Sequence, residues 1–359
     1  MDDRVREHAE ILVDWSTDIQ RGDNVVISAS DGAEDLVVAL NEEIAKKGAE
    51  PVTVYSSDEA SRAFLTNYDG EFSLPDHKLA LYEEADVVIS IRSGANLRAM
   101  RNVSGDVLSE RARAMEPVRE ERLSKRWCLT QHPTNAHAQN AEMSLAEYED
   151  FVYSAVLRDW EEVEEKQEIL KEKLDDANEV YIDGEDTEIR MSVDGMNAVN
   201  SCGRHNMPSG EVFTAPVVDS VEGEVLFDKP LIHQGRKMEG VRLRFEEGEV
   251  VEFSAERNEE LLEDVLTTDD GASRLGELGI GTNREIDVFT NNMLFDEKMG
   301  DTIHMALGRA YDDNVGEGRE QNQSAIHVDM IKDVSDGRIE FDGEVIQENG
   351  RFVWEDGDE

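Results

Sequence analysis

His327-Val328-Asp329 is the pair of side chains best placed for chemistry. It lies in an apolar stretch, 325–331, that the spacing predicts as a strand. Residues two apart on a strand share a face. An imidazole and a carboxylate therefore stand side by side, as a hard or borderline divalent cation requires. A His–Asp hydrogen bond without a metal would use the same placement. His304 lies in the apolar run 300–308, where it is either a ligand or a satisfied core histidine. Two helical turns would bring Tyr311 to the His304 face, but Gly308 interrupts that helix. Glu277 falls in a glycine-rich, otherwise apolar loop, 275–281. Glu211 follows Gly210 and leads directly into an apolar strand, 212–218. A carboxylate in such surroundings is costly to bury unpaired, so each is either exposed or held by a cation. Two histidines, three or four carboxylates and a tyrosine suffice for one divalent metal, or for two that share a carboxylate.

Other chemistries lack their residues. Ser28-Ala29-Ser30-Asp31-Gly32 follows a strand but lacks the glycine spacing of a dinucleotide loop, and no serine nucleophile elbow occurs. Cys128 and Cys202 make no disulfide framework and read as buried, reduced thiols. The 359 residues carry 83 Asp plus Glu against 36 Lys plus Arg, a formal net charge of −47. That excludes a phosphate-binding basic face and a lysine- or arginine-rich membrane surface. No apolar run is long enough to span a bilayer, and residues 1–10 do not form a signal peptide. With 39% hydrophobic residues in periodic blocks, the chain is expected to fold with an acidic surface. Like charge at this density repels the compact state unless salt screens it. The expectation is a halophilic, cytoplasmic protein of a salt-accumulating cell.

The elements that must position these residues fall into two regions. Helical spacing over 5–19 and 35–47 alternates with apolar strands at 25–28, 52–55 and 86–91, and Gly48 stops the second helix. A helix over 105–115 and a strand at 127–130 follow; Ser144, with Glu147 in capping-box position, starts a helix over 145–160. This predicts an N-terminal open α/β domain, 1–160, with a parallel sheet. Residues 161–176, rich in Glu and Lys, read as a solvated connecting helix. Hairpins at 180–193 and 241–253 and a helix over 256–267 predict a mixed, mainly antiparallel α+β domain, 177–359, that binds metal. Residues 355–359 read as a frayed acidic tail.

Several segments also resemble one family. Pro208-Ser209-Gly210-Glu211-Val212-Phe213-Thr214-Ala215-Pro216 is similar to the first metal-ligand segment of the thermophilic-type metallo-aminopeptidases, the aminopeptidase T, S and II family. Gly276-Glu277-Leu278-Gly279-Ile280-Gly281-Thr282-Asn283 resembles the second. Asp296-Glu297-Lys298-Met299-Gly300-Asp301-Thr302-Ile303-His304, with Ala306, Leu307, Gly308 and Tyr311, resembles the third. Ser324-Ala325-Ile326-His327-Val328-Asp329-Met330 resembles the fourth. Gly22-Asp23-Asn24-Val25 and Asp342-Gly343-Glu344-Val345-Ile346 extend the likeness over nearly the whole chain. One departure stands out: where the family has a second glycine before Thr302, this chain has Asp301, which is either a charge added beside His304 or one more surface acid.

The resemblance implies a two-domain homodimer enclosing its active sites in a cavity. It also implies two divalent ions (Co, Zn, Mn or Mg) on Glu211, Glu277, His304, His327 and Asp329, with Tyr311 as the catalytic tyrosine. The expected reaction is hydrolysis of the N-terminal bond of peptides by a metal-bridging water. Glu277 would bridge the ions, Tyr311 would donate to the developing oxyanion, and Glu297 is the candidate to take the water proton, unless it is a surface acid beside Lys298. One rival is a mononuclear Fe(II) ring-cleaving dioxygenase built on His304, His327 and Asp329, since some relatives of the fold cleave hydroxypyridine rings. The other is a non-enzymatic protein whose acids hold cations.

Overall fold

The computed structural model describes residues 1–233 and 235–355; beyond Glu355, the expected acidic tail lies outside the described residues. The chain divides into two compact units, Met1–Arg158 with Gly203–Pro208, and Asp159–Cys202 with Ser209 onward.

The first unit is built on a parallel sheet of five strands in the order Glu50–Ser56, Asn24–Ser30, Val87–Arg92, Arg126–Gln131 and Asn206–Met207. Its central strands are nearly continuously apolar because helices cover both faces of such sheets; Val25, Val26, Ile27, Val87, Val88 and Ile89 are buried. Helix Glu34–Lys47 stops at Gly48, whose φ of 77° accepts the left-handed turn. Helix Leu145–Val156 starts from the full Ser144–Glu147 capping box. The helix expected over 5–19 is an α-helix, Asp3–Glu10, continued by a π-helical segment, Ile11–Ser16. The helix expected over 105–115 continues to Leu123 through Pro117. Both cysteines are buried thiols, and burial pushes Cys128 up to about 12.

The second unit holds an eight-stranded and a five-stranded sheet, both antiparallel. The two hairpins appear as Glu179–Gly184 with Thr187–Ser192, and Val241–Glu246 with Glu249–Ser254. The helix expected over 256–267 is Glu259–Leu266. Inward-facing residues such as Val180, Ile189, Val225, Leu243, Leu278 and Met305 close one apolar core. The charged helix runs Trp160–Asp175 within this unit and is not solvated along its length. Trp160, Val163, Gln167, Leu170 and Leu174 form a buried stripe at helical spacing. A sparse stripe among many Glu and Lys is easily overlooked.

Two segments differ from expectation. Residues 275–281 form a strand, Leu275–Gly281, and not a loop. Residues 302–308 also form a strand, Thr302–Gly308, so no helical turn relates His304 to Tyr311. Glycine and helix formers disguise both in the sequence, whereas the alternation of Ile303, Met305 and Leu307 with Thr302, His304 and Ala306 has the period of a strand.

Candidate metal centre

The five-stranded sheet runs His327–Asp333, Thr302–Gly308, Leu275–Gly281, Glu211–Thr214 and Val199–Ser201. Its alternation separates two chemistries. Val212, Leu278, Ile280, Ile303, Met305, Leu307, Val328 and Met330 all belong to the apolar core. The intervening residues on the opposite face include Glu211, Glu277, His304, His327 and Asp329. Directly paired residues share a face. Glu211 pairs with Gly281, Glu277 with Ala306, Ala306 with Asp329, and Gly279 with His304.

Two local devices make this possible. The register shifts between Leu275 and Glu277, so that Glu277 stands opposite Ala306. A bulge of this kind re-aims a side chain; in unbroken register Glu277 would oppose Met305 and point into the core. The second device is Gly279, where a Cβ would lie 1.9 Å from Cε1 and 2.1 Å from Nε2 of His304. The imidazole occupies the space that any side chain at 279 would need.

The result is a compact cluster. His304 Nε2 lies 2.8 Å from Glu277 Oε1 and 3.9 Å from Glu211 Oε2. His327 Nε2 lies 3.4 Å from Glu277 Oε2 and 3.2 Å from Asp329 Oδ1. One ligand atom each of Glu277, His304 and Asp329 fall within 4.8 Å of one another. Glu211 and Glu277 are 5% exposed and His304 is 1% exposed.

Burial pushes the carboxyls of Glu211 and Glu277 up, against the pull of Lys298 and His304 respectively. Burial also opposes the charged form of Asp329, but the hydrogen bond and charge of His327 outweigh it and hold the group below its usual range. For both histidines burial disfavours the cation. Glu277 nevertheless raises His304 to about 10, and Asp329 with Glu277 raises His327 to about 9.

The donor set fits divalent metal. His304 Nδ1 donates to the Glu297 carbonyl at 3.1 Å and His327 Nδ1 to the Arg309 carbonyl at 2.8 Å. Both rings are thereby fixed so that Nε2 faces the carboxylates, as in metal-bound histidines whose other ring nitrogen donates to a carbonyl. Glu211 Oε2 and Glu277 Oε2 are buried with no hydrogen-bond partner, an arrangement that is expensive unless a cation completes it.

Supporting residues come from outside the expected ligand set. Lys298 is fully buried; its Nζ lies 3.4 Å from Glu211 Oε1 and pairs with Glu297. It therefore occupies one oxygen of Glu211 and leaves the other toward His304. Gln167 donates to the Glu211 carbonyl at 3.3 Å and to the Ser201 carbonyl at 3.0 Å, and accepts from Thr282 Oγ1 at 2.7 Å. Nothing local marks Gln167 within its Glu- and Lys-rich run. Lys298 had one signal, a cation inside a motif whose other charges are acids.

Tyr311 lies past the end of the His304 strand, with its ring 4.8 Å from that of His327. Burial and the carboxylates Glu277, Asp329, Glu297 and Glu211 all raise its phenol. Glu297 sits at the rim with its carboxylate held by Lys298. Asp301 pairs with Arg284 and its side chain is 54% exposed, so the departure from the family pattern is a surface ion pair.

A family model described as thermophilic metalloprotease (M29) matches residues 1–358. The chain is similar to aminopeptidase AmpS of Bacillus subtilis (strain 168), 26% identical over 418 residues that cover 98% of each chain. In structure it resembles wild-type AmpT from Thermus thermophilus, with a TM-score of 0.87, 24% identity, and 98% and 99% of the two chains covered. It also resembles 2,5-dihydroxypyridine dioxygenase from Pseudomonas putida KT2440, with a TM-score of 0.58, 15% identity, and 97% and 96% covered. These two likenesses show the mixed α/β fold.

Proposed function

The chain belongs to the thermophilic metalloprotease family, M29, and on that premise we propose that it is a metallo-aminopeptidase that removes the N-terminal residue of peptides at a dinuclear centre. The observation that carries the reading is the pair of buried, unpartnered oxygens on Glu211 and Glu277, facing two imidazoles whose Nδ1 atoms are already committed.

Glu211, Glu277, His304, His327 and Asp329 would hold two divalent ions, Co, Zn, Mn or Mg. Bound there, such ions lower the pKa of water toward neutrality and polarise a peptide carbonyl. The remaining work falls to side chains. Glu277, which reaches both His304 and His327, is the residue able to serve two cations at once. Lys298 fixes Glu211 by one oxygen. Tyr311, beside His327 and half exposed, donates a hydrogen bond to the oxygen that gains charge as the carbonyl is attacked. Glu297, whose carboxylate pairs with the Lys298 ammonium beside the site, is the candidate to take the water proton.

Stripping the protein with a chelator and reloading it with single metals tests this reading. The expected outcome is two ions per chain and release of the first residue from aminoacyl-anilides. One iron per chain with ring cleavage would instead favour the dioxygenase, and metal uptake without turnover would favour the cation-holding protein. We also propose that it works in the cytoplasm of a salt-accumulating cell, supported by the net charge of −47, and, on the family resemblance alone, that it is a homodimer. Equal thermal stability in dilute buffer and in molar salt would refute the halophilic part.

A further inference from the structure

The face of the sheet that carries the metal cluster gathers its charged residues, with an apolar step at one edge. Phe213 lies two residues beyond Glu211 on the same strand, hence on the same face. It pairs directly with Val199 on one side and with Gly279 on the other, where the next residue in the row is His304. Phe213 and Val199 are both partly exposed, and Phe213 is absent from the core that the opposite face builds. The Phe213 ring meets Tyr311 edge to face at 6.1 Å, and Tyr311 lies 4.8 Å from His327. A half-open phenyl and isopropyl pair thus borders the ligand cluster and is joined to it through the tyrosine.

Solvated apolar surface gains about 25 cal/mol for each Å² covered, a gain that an apolar side chain makes and a charged one does not. We propose that Phe213 and Val199 form the subsite for the side chain of the peptide's first residue and select a large apolar one. This rests on the aminopeptidase reading. The α-carbon of that residue is bonded to the carbonyl carbon under attack, so its side chain must lie next to the metal cluster. Ile331 on the same face is buried opposite His304, whereas the Phe213–Val199 step is partly exposed and open to a side chain.

The test compares kcat/KM for Leu, Phe, Ala, Glu and Arg anilides in the metal-loaded wild type, Phe213→Ala and Phe213→Leu. The wild type is expected to favour Leu and Phe. In Phe213→Ala the Leu-over-Ala ratio should fall about tenfold, the range that one or two methylene contacts supply, mostly through KM. Phe213→Leu, the milder change, should lower Phe more than Leu and keeps the test alive if the alanine variant folds poorly. A uniform loss across all five substrates would overturn the proposal, because the ring would then only brace Tyr311. Preference of the wild type for Glu or Arg would also overturn it. No turnover of any substrate by the wild type would instead sink the aminopeptidase reading itself.

Discussion

His8, in the parallel-sheet unit, and His304, in the antiparallel unit, are both closed off from solvent, at 0% and 1% exposure. Burial pushes His8 down to about 3, with a smaller push from His132. It also opposes charge on His304, yet that ring is raised to about 10. The difference lies in the company. His8 Nε2 meets the hydroxyl of Thr130 at 2.8 Å, a neutral partner that asks for no charge. His304 meets Glu277 at 2.8 Å, with Glu211 and Asp329 behind it. A buried histidine among neutral groups is structure. A buried histidine among more carboxylates than cations is a place where positive charge must be supplied.

The contrast can be broken most severely at its centre. Glu277→Gln removes the carboxylate shared by both imidazoles and should abolish turnover and pairing of metals. Metal affinity should fall by more than the roughly 10–100-fold typical of outer-shell changes, read by metal analysis and calorimetric titration. Gly279→Ala puts a methyl into the His304 ring. It should cost about 1–3 kcal/mol as overpacking in denaturant unfolding and eliminate metal binding, whereas a methyl at Gly105, with nothing within 4 Å, meets no such obstacle. Gln167→Met frees the carbonyl of Glu211 from its anchor and should weaken metal binding about tenfold with the ligands themselves intact.

The His8 side is sharpened by pH. The folded chain leaves His8 neutral down to about pH 3, while the unfolded chain protonates it near its ordinary value of 6.5. Stability from this group is therefore complete above pH 6.5 and is lost as pH falls below it, with a slope approaching about 1.4 kcal/mol per pH unit. Urea unfolding of wild type and His8→Gln between pH 7 and 5 should show a shallower slope in the variant. An equal slope would show that His8 is not held neutral. The smallest effect is expected at Asp301→Gly, which removes an exposed pair with Arg284. Stability should change by no more than about 1 kcal/mol, and metal affinity should stay within twofold.

Much of the site was legible in the sequence because its signals are local. His327 and Asp329 alternate with Val328 and Met330 in the rhythm of a half-buried strand, and that rhythm puts both on one face. The carboxylates Glu211 and Glu277 drew notice because charge among apolar neighbours needs a reason. Elsewhere local cues compete. Thr302–Gly308 contains helix formers and is buried on both sides, so exposure does not alternate along it. Leu275–Gly281 is punctuated by glycines that usually mark loops, but here they make room for His304 and for close backbone approach. The buried stripe of Trp160–Asp175 was hidden by the charge around it.

The sequence by itself determined which residues carry charge, which segments have the period of helix or strand, and that the candidate metal ligands lie in the second half of the chain. It also set the acidic surface. Only the tertiary structure decided that Glu277 faces the imidazoles. That orientation depends on a register shift between two strands paired across 27 positions of sequence, and no local propensity encodes such a pairing. Lys298 and Gln167 gained their roles the same way. A lysine's partners and a glutamine's hydrogen bonds are properties of the space they are buried in, and that space exists only once five strands and a helix have closed around it.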